Sequence, residues 1–138
     1  MNTVDNIDLI IAVRDLLESE LPSKGLNINV YPVVFPSKDI PKEFFLVKDI
    51  TQQDKGNAVI PGTVEVCIYV KNLDKEEDQS QPNLGRLKAL TNIAMPILND
   101  AIKNSTAITS IKPKLVNHPT IGYFYQSLVC ETISITNK

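Results

Sequence analysis

The segment Gly62 to Val70 sets Val64, Val66, Ile68 and Val70 in strict alternation with Thr63, Glu65, Cys67 and Tyr69. A period of two sends successive side chains to opposite faces of a sheet, so this stretch predicts a β-strand whose even-numbered face meets a core. Such a strand needs partner strands for its backbone groups and an apolar layer for its buried face. The rest of the chain has to supply both.

Two helical patterns supply the layer. Ile7, Ile10, Ile11, Leu17 and Leu21 recur at helical spacing, with Arg14, Asp15, Glu18 and Glu20 largely on the other side. Asp5 or Asn6 can cap this helix, and Pro22 and Gly25 end it. Leu84, Leu87, Leu90, Ile93, Ala94, Ile97, Leu98, Ala101 and Ile102 form a wider stripe on a second helix that begins near Pro82 and ends near Asn104. Pro96 lies inside that stripe and is expected to kink it by removing the bond to the Asn92 carbonyl.

The partner strands are also legible. Ile28 to Phe35 is β-branched and aromatic but contains Pro32 and is closed by Pro36, as suits a short edge strand. Phe44, Phe45, Leu46, Val47 and Ile50 form a compact apolar run after Pro41, which predicts a strand, Glu43 to Ile50, buried mostly on both faces. Ile108 to Val116, the turn Asn117 to Gly122, and Tyr123 to Ile135 read as a long hairpin, with Tyr123, Tyr125, Val129, Ile133 and Ile135 on one face. Polar loops fill Thr51 to Asn57 and Lys71 to Gln81. The order α-β-β-β-α-β-β lacks regular strand–helix alternation, so it predicts one α+β domain over residues 1–138: a mostly antiparallel sheet packed against two helices.

The chain is 43% hydrophobic and 22% charged, outside the regime that keeps chains disordered. Its 14 Lys and Arg against 16 Asp and Glu leave a net charge of −2 with no basic stripe, which argues against a dedicated nucleic-acid reader. Met1 to Asp8 carries two acids and no base, unlike a secretory leader, and no apolar run approaches the length that spans a bilayer. The expected setting is the cytoplasm, without membrane contact. Cys67 and Cys130 lie in strand-like runs, so buried free thiols are favoured over a cross-strand disulfide.

Catalytic chemistry has few candidate carriers. His118, the only histidine, lies in the turn Asn117-His118-Pro119 and reads as solvated or bonded to nearby backbone. One histidine and two distant cysteines do not furnish a closed zinc site, and Asp74 to Asp78 lacks the alternating acids and central glycine of a calcium loop. The glycines are too dispersed to cradle a phosphate. Glu43, Glu65 and Glu131 could in principle converge as paired acids, but strand carboxylates usually form the wet face of a sheet. The expectation is a protein that is not an enzyme and uses no metal or cofactor.

Taken together, the helix Ile7 to Leu21, the strand end Val30-Tyr31-Pro32, the proline-led strand Pro41 to Ile50, the alternating strand Thr63 to Val70, the helix Leu84 to Ile102 and the closing hairpin with Tyr123-Phe124-Tyr125 and Ser127 to Ile133 resemble the tail-terminator and tail-completion proteins of long-tailed bacteriophages and prophages. The resemblance covers nearly the whole chain and rests on element order. It implies a virion subunit, made in the host cytoplasm, that assembles as a hexameric ring on the tail tube, ends its polymerisation and joins a head-side connector. Implied partners are copies of itself, the tail-tube protein and the connector, with DNA passing non-specifically through the lumen. No catalytic residue is shared across that group. The long charged loop and Pro96 depart from its pattern.

Within that picture Gln52, Gln53, Asp54 and Lys55 of one loop, and Asp74, Lys75, Glu76, Glu77 and Asp78 of the other, are candidates for the ring's rim or lumen, where acidity would let DNA slide past. Val30, Tyr31 and Val33 are candidates for an edge-strand interface. A host or prophage adaptor that binds a protein partner along a sheet edge is the principal alternative. An enzyme without a familiar motif, using a pocket between the second helix and the sheet, is a third reading.

Overall fold

A computed structural model of the protein describes residues 6–52, 59–75, 78–99, 101–103 and 106–135. The elements are α1 (Asn6–Glu20), a 3-10 turn at Pro22–Lys24, β1 (Val30–Pro32), β2 (Glu43–Gln52), β3 (Val59–Lys71), α2 (Leu84–Leu98), β4 (Ile102–Lys103), β5 (Thr106–His118) and β6 (Tyr123–Ile135). The strands form one sheet in the order β1-β2-β3-β6-β5-β4. Among the described residues only β1 and β2 run parallel, and every other neighbouring pair is antiparallel. The protein is therefore α+β, as the pattern of elements predicts.

Both helices lie on one face. Val64, Val66, Ile68 and Val70 of β3 are buried there against Leu9, Val13 and Leu17 of α1 and Leu87, Leu90, Ala94 and Leu98 of α2. Burying each such aliphatic side chain contributes roughly 1.5–3 kcal/mol, so this layer is the main source of stability. The expected even-numbered core face of β3 is the face that meets the helices. The odd-numbered face is not simply wet, because Cys67 and Tyr69 are buried with Phe44, Leu46 and Tyr123 in a second, smaller cluster. Its cover is the loop joining β1 to β2, which lays Phe35 and Ile40 over the rings. The Tyr123 hydroxyl pins that loop by donating to the Pro41 carbonyl at 2.6 Å. β2 is consequently buried on both faces, with Phe44, Phe45, Leu46 and Val47 all enclosed.

Several boundaries differ from the sequence expectation: β2, β3 and β5 each run one to three residues further, taking Thr51, Gln52, Lys71, Asn117 and His118 from the expected loops and turn into strands. The first strand covers Val30–Pro32 rather than Ile28 to Phe35, because Val33 takes a left-handed φ of 69° and the Val34 N–H turns back to the Pro32 carbonyl at 2.8 Å. α2 begins at Leu84, where the Asn83 side chain accepts the Arg86 N–H, and not at Pro82. It ends at Leu98, short of the expected Asn104: Asn99 is extended, and Ile102 and Lys103 pair with β5 as the two-residue β4. Pro96 lies in the last turn, so its missing donor falls where the helix is about to stop.

The two flanks of the sheet are finished differently. On either side of β1 the Asn29 carbonyl and the Val33 N–H bond to β2, which turns the backbone groups of Val30 and Pro32 outward. Pro32 has no N–H to offer and its carbonyl is already taken, so this edge is largely closed to another strand. At the other flank β4 covers only the start of β5, and the remainder, with Lys112-Pro113-Lys114 at its centre, pairs with β6 alone.

Candidate functional site

Three strands build an aromatic cleft on the face away from the helices. The register sets Phe44 opposite Tyr69 and Tyr69 opposite Tyr125. Their rings stack with centroids 4.7 and 4.6 Å apart, an arrangement worth about 0.5–1.5 kcal/mol per pair beyond area burial. Phe35 comes down from the covering loop and meets His118 edge-on at 5.3 Å. His118 is thus half-buried against an aromatic ring at the end of β5, a correction to its reading as a solvated or backbone-bonded turn residue. The cleft, about 420 Å³, has Leu46, Tyr69 and Tyr125 in its floor, Val33, Val34 and Phe35 at its lip, and Lys48 and His118 among its polar groups.

The polar chemistry beside the cleft is already satisfied. Glu65 accepts a short hydrogen bond from the Ser127 hydroxyl and faces the Lys48 ammonium at 3.4 Å. Burial, reinforced by the Glu65 carboxylate, pushes the Cys67 thiol far up, so it is no nucleophile at neutral pH. The three carboxylates that could have converged do not. Glu43 points to the helix face, where Arg86 holds it with two bonds of 2.7 and 2.6 Å, tying the start of α2 to the start of β2. Glu131 lies on the opposite face, 3.9 Å from Lys112. Among the described residues no three His, Cys, Asp or Glu side chains gather as a metal site, and no helix is long and apolar enough to cross a membrane.

A second concavity lies on the helix face at the β5 flank. α1 and α2 leave the middle of β5 uncovered, and a groove of about 550 Å³ runs between it and α2. Leu84, Leu87 and Met95 of α2 and Pro113 and Leu115 of β5 make its walls apolar, and Lys88 stands at its side. Leu84 is 58% exposed and Leu115 43%, unusual for large aliphatic residues that face a neighbouring element.

The residues expected at a rim or lumen divide. Gln52 ends β2 opposite Gly62, while Gln53, Asp54, Lys55, Glu76 and Glu77 lie outside the described residues. Asp74, Lys75 and Asp78 are exposed on a loop closed by its own bonds: Leu73 N–H to the Gln81 carbonyl at 2.9 Å, and Gln79 to Asp74 at 3.1 Å. Asp78 accepts the Ser80 hydroxyl and N–H, which hold its carboxyl below the usual range. Of the proposed edge residues, Val30 faces the helix core and Tyr31 is half-buried on Phe44, leaving Val33 exposed.

The cleft escaped the sequence reading, whereas the groove lies where the third reading looked for a pocket, between the second helix and the sheet. The apolar residues on both faces of β2 and β3 were a signal for the cleft, whereas the groove appears only once β5 is placed beside α2. No family model matches the chain, and no curated protein matches it.

Proposed function

We propose that this protein is a structural ring subunit that caps a phage-type tail tube, ends its polymerisation and offers a joining surface to a head-side connector. The observation that carries this reading is the difference between the two flanks of the sheet: β1 is short, proline-ended and closed, whereas the β5 flank is long and carries an open apolar groove. A closed ring of identical subunits requires two unlike surfaces that meet head to tail, and a molecule with a single self-complementary patch would stop at a dimer. The order of elements, α-β-β-β-α followed by the short β4 and the long β5–β6 hairpin, is compatible with the same reading.

The exposed acids Asp74 and Asp78 suit a rim or lumen past which DNA moves without sticking. The aromatic cleft favours the alternative of an adaptor, with a partner's side chain seated against Leu46, Tyr69 and Tyr125 beside Phe35. Electron microscopy of tail tubes incubated with the purified protein separates the two. Rings seated on tube ends are the expected outcome; bare ends together with monomeric protein would transfer the case to the adaptor.

A further inference from the structure

Among the described residues the groove between α2 and β5 has no occupant, and its chemistry points to one. Its walls are mainly apolar, with Thr91, Asn92 and Gln126 among them, and α2 and β5 carry no acid; Lys112 and Lys114 of β5 lie on the opposite face of the sheet, so the bases on the groove side are Arg86 and Lys88 of α2. Arg86 is engaged by Glu43, which leaves Lys88 as the cation at the groove itself.

The opposite character is found on α1. That helix carries Asp8, Asp15, Glu18 and Glu20 against the single base Arg14, which holds Asp15 at 3.2 Å, and Ile7 in its first turn is 59% exposed. Ile7 sits beside Asp8, so the outer face of α1 pairs an unburied aliphatic group with negative charge. The groove pairs unburied aliphatic groups with Lys88. The lysine of the 3-10 turn, Lys24, lies beyond the other end of α1 and does not disturb this match.

We infer that the groove between α2 and β5 is the docking site for the outer face of α1 of a second copy of this chain, with Ile7 entering between Leu84 and Leu115 and the α1 acids facing Lys88. The contact joins two different surfaces, so it repeats from copy to copy and closes only as a ring. It deepens the ring reading and rests on it for biological meaning, although the contact itself can be tested without a tail. Apolar burial at the centre supplies affinity, and the charges fix register and exclude a groove-to-groove pairing that would oppose like charges.

The test is site-directed cross-linking of the full chain. Ile7→Cys and Leu115→Cys are each made singly and both together. Ile7 and Leu115 are exposed and Cys67 and Cys130 are buried, so a short bismaleimide reports on the new thiols in protein whose thermal melt matches the wild type. The expected result is a covalent dimer when the two single variants are mixed, a ladder that ends at the ring number for the double variant, and at least a tenfold loss of product when Lys88→Glu is added. No product at the highest soluble concentration overturns the inference, as does self-coupling of Leu115→Cys as efficient as the mixed reaction. Capping of tail tubes without this cross-link removes the interface and leaves the ring reading standing; the cross-link without capping removes the tail role and leaves the interface.

Discussion

Cys67 and Cys130 lie on adjacent strands yet on opposite faces, one in the aromatic cluster and the other in the helix-side core. Both are free and buried, in line with the sequence expectation. Burial pushes the Cys130 thiol up to about 12, and the Cys67 thiol, with Glu65 nearby, further still. In the unfolded chain both ionise near the ordinary value of 9.0, so above that pH the unfolded state releases protons that the native state retains. Their contribution is therefore complete below about pH 9 and is lost as the pH rises toward 12. The urea midpoint should fall steadily over that interval, and thiol reagents at pH 8 should label only unfolded protein; a flat midpoint would contradict the burial. That these residues were strand thiols was readable from the alternation around them. The Phe35–His118 contact was not, because it joins residues far apart in the chain and no local period marks it.

At the scale of elements, periodicity carried the most information where one face is dry and the other wet. The alternation of β3 and the stripe of α2 were both visible, since each has a face pressed on the core. Ends were harder to place, because they depend on single hydrogen bonds. The stop of β1 lies in the left-handed Val33, and the start of α2 lies in the bond between the Asn83 side chain and the Arg86 N–H at 3.2 Å. The same bond makes Asn83→Ala a clean probe: loss of the cap should cost about 1 kcal/mol and lower the melting temperature by a few degrees, measured by circular dichroism. An unchanged melt would show that Glu43 and Arg86 alone fix the start of the helix. The apolar stripe of the sequence runs past Leu98, yet the backbone of Ile102 belongs to strand β4 and not to the helix.

For the whole molecule, the two-layer arrangement followed from the order of elements, but the strand order could not be read from it. β6 enters between β3 and β5, so α2 carries the chain across the sheet to its far side before the final hairpin returns. That path leaves β5 at a flank without a helix of its own and creates the groove, the feature on which assembly is proposed to depend. A protein that ends a polymer acts at one site per tube, which separates it from a binder that must saturate every subunit. Tube elongation followed by light scattering, with this protein titrated far below the concentration of tail-tube subunits, tests that claim most directly. Arrest of growth at about one ring per tube end is the result expected; continued growth until the two proteins reach equal amounts, or growth unaffected at any ratio, would contradict it.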